Sequence, residues 1–365
     1  MKSGCTIRLV KTATLFRKSG KSVTQCTACS WYCRITPGNV GICGTRFNRD
    51  GILYSLVYGK TTGPAVDPVE KKPLNHFLPG SRILSFGTAG CNFGCEFCQN
   101  AWMSQKTKLN IKYKTSNITK AIKELQKNID EISTDIKPDE IVRQALQAGC
   151  RGIAYTYNEP AIFIEYAADT ARLAKKKGLA NIFVSNGFES EETFSYIRPY
   201  LDAINIDLKS FRDDFYRKVC HAKIAPVLEN IKRYFGAGIE TEVTTLIIPG
   251  HNDTDKELTD VAEFLAGISP DIPWHISAFK PEYKMPDVPE TPAETLMNAY
   301  RIGKKAGLHY IYVGNILDPG HSSTYCPRCN ELLVERIYYD TRVRNIDINN
   351  GKCKKCGNQI YGVWN

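Results

Sequence analysis

Strand patterns and amphipathic helix patterns alternate along the middle of this 365-residue chain. A strand–helix–strand repeat of this kind predicts parallel βαβ units and therefore an α/β fold. There are six or seven units, too few for a full eight-fold barrel, so an open parallel sheet and a partial barrel both fit. The expected strands are 83–89, 152–156, 181–186, 203–209, 241–248, 274–279 and 310–314, and the expected helices are 138–149, 160–178, 190–197, 227–238, 254–266 and 291–306.

The regions outside the repeat define the expected domain organisation. Residues 1–80 are rich in Gly, Pro and Cys and have weak periodicity, so we expect an irregular cysteine-rich module that ends at Pro79-Gly80. The repeat itself occupies 81–320. Within it, residues at about 107–136 are Lys-rich and predict an insertion with a solvent-exposed helix. Residues 321–365 form a second small cysteine-rich module.

The positive charge of the chain is concentrated near its start. Residues 1–60 carry ten Lys and Arg and one acidic residue, Asp50, which is +9 of the formal +10. An anionic partner and a merely solvated basic surface are both compatible with this charge. No apolar run is long enough to span a bilayer, and the first twenty residues lack the apolar centre of a signal peptide. We therefore expect a cytoplasmic protein with no membrane partner.

The chain has 14 cysteines, and a reducing compartment favours metal ligation over disulfides for such a number. Most of them fall into three groups, in the first fifty residues, near residue 95 and in the last forty. Cys5, Cys150 and Cys220 stand alone, and we interpret these three as small buried apolar side chains.

The central group is the motif GTAGCNFGCEFCQN at 87–100, which follows the first strand of the repeat. Cys91, Cys95 and Cys98 have C-x3-C-x2-C spacing, whereas a [4Fe–4S] cluster is normally held by four thiolates. Three ligands leave one iron open for the amino and carboxylate groups of a small molecule, and Phe97 can shield the cluster. The alternative is a structural zinc knuckle with His76 as its fourth ligand.

This motif resembles that of the radical S-adenosylmethionine (SAM) superfamily. The wider sequence resembles the pyruvate formate-lyase-activating-enzyme-like branch and, within it, the AmmeMemoRadiSam group. The resemblance implies a partial (β/α)6 barrel of the radical SAM type between the two cysteine-rich modules. The matching stretches are 58–81, 85–100, 152–160, 184–188, 205–211, 246–253, 274–285 and 312–315.

The activity that the resemblance implies is reductive cleavage of SAM at a [4Fe–4S] cluster. The products are methionine and a 5′-deoxyadenosyl radical, which removes a hydrogen atom from a substrate. A one-electron reductant such as ferredoxin or flavodoxin is implied as a partner. The substrate is either a glycyl-radical enzyme or another target, namely RNA, a different protein or a metabolite, and we expect a macromolecule. A function of another class is a zinc-rich, non-catalytic binding protein.

The resemblance also implies which residues contact SAM. Glu159 occupies the position of the acidic residue that holds the methionine ammonium, and Asp207 and Lys209 share one side of a strand because they are two residues apart. The implied SAM-binding residues are Phe97, Asn158, Glu159, Ser185, Asn186, Asp207, Lys209 and His275, the last ending a strand near the ribose.

Each of these assignments has a structural alternative. Glu159 is also placed to cap a helix that begins at Pro160. Asp207 and Lys209 are also compatible with a plain ion pair, and His275 with a buried core histidine.

The flanking cysteine groups predict two further metal sites. Cys326, Cys329, Cys353 and Cys356 form two CxxC pairs around a β-rich insert, which is typical of a structural zinc ribbon, with an auxiliary iron–sulfur cluster as the alternative. The N-terminal group has C-x2-C-x3-C-x9-C spacing, and we expect zinc there, again with an auxiliary cluster as the alternative. Its members are Cys26, Cys29, Cys33 and Cys43.

Overall fold

A computed structural model of the chain describes residues 11–108 and 118–365, without the side chains of residues 118 and 119. Cys5, the first residues of the basic segment and residues 109–117 of the Lys-rich insertion lie outside the described residues. The strands are β1 Lys11–Thr12, β2 Phe16–Lys18, β3 Thr24–Cys26, β4 Arg34–Ile35, β5 Arg46–Arg49, β6 Ile52–Ser55, β7 Lys60–Pro68, β8 Arg82–Gly87, β9 Thr134–Asp135, β10 Gly152–Tyr155, β11 Ala180–Ser185, β12 Ala203–Asp207, β13 Glu240–Ile247, β14 Trp274–Ala278, β15 Ile311–Gly314, β16 Thr324–Tyr325, β17 Leu332–Ile337, β18 Asp340–Val343, β19 Ile346–Asp347 and β20 Lys352–Cys353. The helices are α1 Ala101–Ser104, α2 Ile118–Ile132, α3 Pro138–Gln147, α4 Ile164–Lys176, α5 Glu191–Ile197, α6 Asp213–Phe215, α7 Ala225–Gly236, α8 Asp255–Ile268, α9 Ala293–Lys305 and α10 Pro319–Ser322.

The main sheet has nine strands in the order β15-β14-β13-β12-β11-β10-β8-β7-β9. Seven of these strands, β8 and β10 to β15, pair in parallel. Strand β7 adds an antiparallel strand beside β8. Among the described strands β15 does not pair with β7 or β9, so the sheet stays open. The predicted α/β fold, a partial barrel of parallel strands, is confirmed.

The strands of the barrel are buried on both faces, as parallel strands with helices on one side and a filled interior on the other must be. All four residues of β10 are buried, and Ile153 pairs with Leu84 of β8 and Asn181 of β11. The start of helix α5 illustrates how the local sequence sets a helix boundary. Ser190 caps α5 by accepting a hydrogen bond from the backbone amide of Thr193 at 3.1 Å, as its position before the helix pattern indicates.

The N-terminal module consists of two small antiparallel sheets, β1-β6-β5 and β2-β3-β4. Their strands have two to four residues, which is too short to give a clear alternation of apolar residues in the sequence. The next strand, β7, belongs to the barrel sheet rather than to these small sheets. The first eighty residues are therefore continuous with the barrel.

The helix of the Lys-rich insertion, α2, which the sequence predicted to be solvent-exposed, is exposed on one face and buried on the other. Ile122, Leu125 and Ile129 are 1%, 0% and 1% exposed. These side chains recur at a helical period and form one apolar face, while the lysines occupy the other face. The helix is thus exposed along its lysine face, as expected, but it also has a buried apolar face, which the prediction missed because it weighed the number of lysines and not their spacing.

The C-terminal module packs against the barrel over a long contact. Its strands form the sheet β16-β17-β18 and the pair β19-β20. Arg336 donates a hydrogen bond to the carbonyl oxygen of Asn75 at 2.6 Å, and the amide of Val363 donates to the carbonyl oxygen of His76 at 2.7 Å. His76 in turn contacts the hydroxyl of Tyr312 on β15 at 2.5 Å. The module therefore joins the last barrel strand to the segment that follows β7.

Among the described helices, none is both long enough and apolar enough to cross a membrane.

Candidate functional site

A cavity of about 560 Å³ opens where the parallel strands end. Polar residues at the carboxyl ends of neighbouring parallel strands meet at one edge of the sheet, which is where α/β barrels hold their ligands. The cavity lining includes nine of the residues predicted from the sequence: Cys91, Cys95, Phe97, Cys98, Asn158, Ser185, Asn186, Asp207 and Lys209.

The cysteine loop leaves the end of β8 and is held by its neighbours. Gly90 has φ +95°, and a Cβ there would lie 2.7 Å from the Thr107 hydroxyl, so the backbone needs glycine. Asn158 donates a hydrogen bond to the carbonyl oxygen of Gly90 at 2.8 Å and one to the Thr88 hydroxyl at 3.2 Å. The amide of Phe93 donates to the sulfur of Cys91 at 3.4 Å. Asn158 thus positions the loop as well as lining the cavity.

The pKa values of the thiols of this loop are raised by their surroundings. Burial raises the pKa of Cys91, and Lys108 opposes the shift. The pKa of Cys95 is raised first by a hydrogen bond to Cys220 and then by burial, while Lys209 lowers it. A metal cluster requires thiolates, so we expect its binding to release protons.

Cys220 is therefore a neighbour of the site that the sequence did not reveal. It stands 122 residues after Cys98, and nothing in its local sequence distinguishes it from an ordinary buried cysteine. Its carbonyl oxygen also accepts a hydrogen bond from the amide of Gly94 at 2.9 Å, so its segment packs directly behind the loop.

Glu159 lies beside the cavity without lining it. Its carboxylate accepts hydrogen bonds from the amide of Ala161 at 3.0 Å, the amide of Asn186 at 2.9 Å and the hydroxyl of Ser185 at 3.1 Å. Burial, and then the neighbouring Glu189, raise its pKa. Glu159 therefore caps the helix that begins at Pro160, as the structural alternative expected. Its carboxylate also accepts hydrogen bonds that hold Ser185 and Asn186 in place.

Asp207 and Lys209 form an ion pair at the end of β12. The Lys209 Nζ lies 2.9 Å from the Asp207 Oδ2 and 5.7 Å from the centre of the Phe97 ring. Burial lowers the pKa of Lys209, but Asp207 and then Cys95 raise it well above its usual value. The Asp207 side chain remains 36% exposed, so its carboxylate is accessible to a ligand in the cavity.

The cavity residues that were not assigned from the sequence include Lys71, Lys72 and Tyr339. Asp67 binds the ammonium groups of both lysines at 2.8 Å, and these bonds lower its pKa to about 2 although burial opposes the shift. Both lysines lie in the stretch 58–81, which is one of the stretches that resemble the radical SAM branch. That resemblance does not indicate a role for either lysine. Tyr339 comes from the distant turn between β17 and β18, and no local pattern connects it with the cavity.

His275 does not belong to this cavity. It lies at the start of β14, not at its end as the sequence interpretation assumed, and its Nε2 is 2.5 Å from the Glu242 Oε2. The amino ends of the strands face away from the cavity. The structure therefore contradicts the predicted contact of His275 with the ribose. The alternative of a buried core histidine describes it.

His76 lies near the same end of the barrel, and burial lowers its pKa to about 4. Its Nδ1 is 2.6 Å from the carbonyl oxygen of Tyr361 and its Nε2 contacts Tyr312. With both ring nitrogens engaged, His76 does not supply a fourth ligand to the central cysteine loop. The fourth ligand that the zinc-knuckle alternative assigned to His76 is therefore not supplied by this residue.

The C-terminal cysteines form a compact group that is suited to a metal ion. Their four sulfurs lie within 4.8 Å of one another, and two of the separations are 3.6 Å, between Cys326 and Cys356, and 3.7 Å, between Cys329 and Cys353. Among the described residues, this is the one group of at least three metal-binding side chains that is so compact.

The N-terminal cysteines are brought together but are less compact. Cys26, Cys29, Cys33 and Cys43 line a common cavity of about 10 Å³. They do not meet the 4.8 Å separation that the C-terminal group meets.

The fold and the cavity together define an α/β partial-barrel protein with a cysteine-lined cofactor site. A sequence model of the Radical SAM superfamily matches residues 86–265, which span the loop and the strands around the cavity. The chain is 38% identical to an uncharacterized protein of Methanocaldococcus jannaschii over 354 residues, 96% of this chain and 99% of its relative. The chain belongs to the radical SAM superfamily.

More distant relatives include activating enzymes. The isethionate sulfite-lyase activating enzyme of Oleidesulfovibrio alaskensis is 22% identical over 269 residues, 59% of this chain and 84% of that enzyme. A solved domain of pyruvate-formate lyase-activating enzyme from Bacteroides vulgatus matches with 22% identity and a TM-score of 0.40, over 45% of this chain and 99% of the domain.

Proposed function

We propose that this chain is a radical SAM enzyme that binds a [4Fe–4S] cluster and SAM in the 560 Å³ cavity and abstracts hydrogen from a protein substrate. We also propose that it belongs to the AmmeMemoRadiSam group, on the matching stretches of its sequence. The observation that carries the proposal is that one cavity contains Cys91, Cys95 and Cys98 together with the Asp207–Lys209 pair.

The residues present fit the two groups. Cofactor cavities are typically about 300–1,000 Å³ and combine apolar walls with a few well-placed polar groups. Here three thiols supply the cluster ligands. A [4Fe–4S] cluster that is held by protein alone has four thiolate ligands, so one iron is left open. Asp207 offers a carboxylate to an ammonium, and Lys209 offers an ammonium to a carboxylate, which are the two charged groups of a methionine. Phe97 supplies apolar surface.

The protein's own contribution is to bind, orient and exclude water. When bound, the cluster and SAM supply one-electron cleavage of the sulfonium and the radical that results. Asn158 holds the cysteine loop against the end of β10, and Asn186 donates a hydrogen bond to the Asn92 side chain at 2.7 Å within that loop. Glu159 acts as a positioning residue, because it orients Ser185 and the amide of Asn186 towards the cavity rim.

Replacing Asp207 with asparagine is expected to weaken SAM binding about 10- to 100-fold, because a hydrogen bond to a charged group contributes about 1.5–3 kcal/mol. The Kd would be measured by calorimetry on anaerobically reconstituted protein. The iron content should stay unchanged, because Asp207 is not a thiolate ligand.

The matched control is Asp260→Asn, since Asp260 forms an ion pair with Lys256 on the outer surface of α8. It should leave the Kd as it is in the unmodified protein. An unchanged Kd in Asp207→Asn would remove Asp207 from the SAM site.

A macromolecular substrate is supported by the surroundings of the cavity mouth. Tyr339 lines the cavity and is 54% exposed, and the adjacent Tyr338 is 67% exposed. Exposed aromatic side chains of this kind are typical anchors of protein interfaces. The activating enzymes among the relatives suggest a glycyl-radical enzyme as the target, and RNA is the second candidate because of the basic N-terminal segment. A ferredoxin or flavodoxin would supply the electron.

The variant Tyr338→Ala, which truncates the exposed tyrosine that does not line the cavity, is expected to lower capture of the substrate about tenfold or more while leaving SAM binding intact. Capture would be measured by anaerobic pull-down from cell extract at low and high salt. Captured partners would then be tested with deuterated substrate for transfer of deuterium into 5′-deoxyadenosine.

The control for this experiment is Ile52→Ala, which truncates an exposed apolar side chain in the N-terminal module. A nuclease-sensitive partner would identify RNA in place of protein. Deuterium transfer from a purified metabolite, with no macromolecule captured, would contradict a macromolecular substrate.

We further propose that the C-terminal cysteines bind zinc. A tetrahedral zinc site with a Zn–S distance of about 2.3 Å places its sulfurs about 3.8 Å apart. Two pairs of sulfurs among Cys326, Cys329, Cys353 and Cys356 are separated by 3.6 and 3.7 Å, close to that value. Four thiolates leave no open position, so the role of this metal is structural.

A further inference from the structure

We propose that Lys71 and Lys72 bind a carboxylate of the substrate, so that the substrate is a polypeptide with an acidic group near the reacting carbon. The inference rests on the proposed function, because it takes the 560 Å³ cavity as the place of hydrogen abstraction. It adds the chemical class of group that this cavity selects. Both lysines line the cavity, and the contacts proposed for SAM use neither of them.

The position of the lysines suits a substrate that enters from outside. The side chain of Lys71 is 49% exposed and Tyr339 is 54% exposed, so both mark the mouth of the cavity, whereas the side chain of Lys72 is 2% exposed. The lysines follow β7, and three strands, β8, β10 and β11, separate β7 from β12, which carries Asp207. A substrate that enters past Tyr339 therefore meets the lysines on a different part of the cavity wall from the pair proposed for SAM.

The charge around the lysines is incomplete. Asp67 binds both ammonium groups at 2.8 Å, so two positive charges share one negative charge. Tyr157 donates a third hydrogen bond to the same carboxylate, at 3.1 Å. Within the described part of the chain, Asp207 is the one acidic residue that lines the cavity, and it is paired with Lys209. One positive charge at the cavity wall is therefore left without an anion.

The burial of Lys72 directs this charge towards a ligand. Burial lowers the pKa of Lys72, and Asp67 opposes that shift. An ammonium has three N–H donors, and among the described residues Asp67 is the one hydrogen-bond acceptor of Lys72. The face of the Tyr157 ring, 4.9 Å from the Lys72 Nζ, covers a second side of the ammonium. A donor remains for an oxygen of a ligand, and a hydrogen bond between charged groups is stronger in such a poorly hydrated place than in water.

Charge balance favours a carboxylate over a phosphate. One carboxylate together with Asp67 equals the two positive charges of the lysines. A phosphorylated side chain carries about 1.5 to 2 negative charges at pH 7, which exceeds that balance and adds repulsion from Asp67. Acidic side chains and the terminal carboxylate of a polypeptide supply a single negative charge, in agreement with a protein substrate.

The test compares two short peptides that differ in one charge, acetyl-Gly-Glu-Gly amide and acetyl-Gly-Gln-Gly amide. Binding to the anaerobically reconstituted protein would be measured by saturation-transfer NMR, with and without saturating SAM and with no reductant. We expect the Glu peptide to bind about 10- to 100-fold more tightly than the Gln peptide, and to stay bound when SAM is added. Lys71→Met and Lys72→Met should each weaken binding of the Glu peptide about tenfold.

The matched control is Lys60→Met, because Lys60 is a buried lysine of β7 that pairs with Asp130 and Asp135 and lies outside the cavity lining. It should bind the Glu peptide as the unmodified protein does. Since Lys71 is half exposed, Lys71→Met keeps the test decisive if Lys72→Met fails to fold.

Three results would overturn the proposal. Equal affinity of the unmodified protein for the two peptides would show that no carboxylate is selected, and displacement of the Glu peptide by SAM would assign the lysines to SAM. Tighter binding of the corresponding phosphoserine peptide would assign them to phosphate. Because peptide binding is measured without cleavage of SAM, a failure of the proposed radical chemistry would leave this result readable, and a negative peptide result would leave that chemistry untouched.

Discussion

Replacing Cys91, Cys95 and Cys98 together with alanine is expected to remove about four irons per chain and to abolish reductive cleavage of SAM. The expected loss is complete because these three thiols are the cysteines that line the cavity, and Cys220 lies behind Cys95. Iron and sulfide would be quantified after anaerobic reconstitution. Formation of 5′-deoxyadenosine with a chemical reductant would measure cleavage.

The Cys150→Ala variant is the control for this change, because Cys150 is also buried but lies at the other end of the barrel sheet, just before β10. It should cleave SAM at the normal rate. Cleavage by the reduced triple variant would show that the cluster is held elsewhere and would remove the basis of the proposed function.

Loss of the C-terminal metal is expected to destabilise the whole barrel. Structural zinc contributes about 10–16 kcal/mol to the folding of zinc-finger peptides, so Cys353→Ala should disorder the module. The contacts that Arg336 and Val363 make with residues 75 and 76 would then be lost. We expect the Tm to fall on the order of 10 °C, because each kcal/mol shifts the Tm of a large domain by a few degrees.

The measurement pairs thermal unfolding with elemental analysis of zinc and iron. A point variant is preferable to removing residues 326–365, since deletion would also strip Tyr361 from the barrel, where its hydroxyl accepts a hydrogen bond from the amide of Thr241 at 2.9 Å. Cys150→Ala again serves as control and should keep one zinc. Loss of iron in place of zinc from Cys353→Ala would indicate an auxiliary cluster at the C-terminal site.

The barrel and much of its site could be predicted from the sequence because both depend on local patterns. Each predicted strand overlaps an observed one, since buried parallel strands read as short apolar runs between helix periods. Ser185, Asp207 and Lys209 reach the cavity because they end such strands, and strand ends share one edge of the sheet. Their position follows from the fold without knowledge of any distant contact.

The rest depends on contacts that local patterns do not contain. Tyr339 reaches the cavity through the packing of a hairpin from the C-terminal module, and Cys220 reaches Cys95 through a segment far along the chain. Glu159 was assigned to the ligand, but the amides nearby satisfy its carboxylate within the protein. For His275 the error was one of register, because a strand of five residues leaves little to separate its beginning from its end.

The contacts of His76 with Tyr312 and Tyr361 have a consequence for folding during synthesis. The hydrogen bond between His76 and the carbonyl oxygen of Tyr361 joins residues 285 positions apart, and that between Arg336 and Asn75 spans 261 positions. Contacts between such distant residues form late and slow folding, because the intervening chain must be ordered first. On the ribosome, the segment around His76 emerges long before its partners. In a nascent chain these contacts of residues 75 and 76 therefore stay unformed until residues 336 and 361 have emerged.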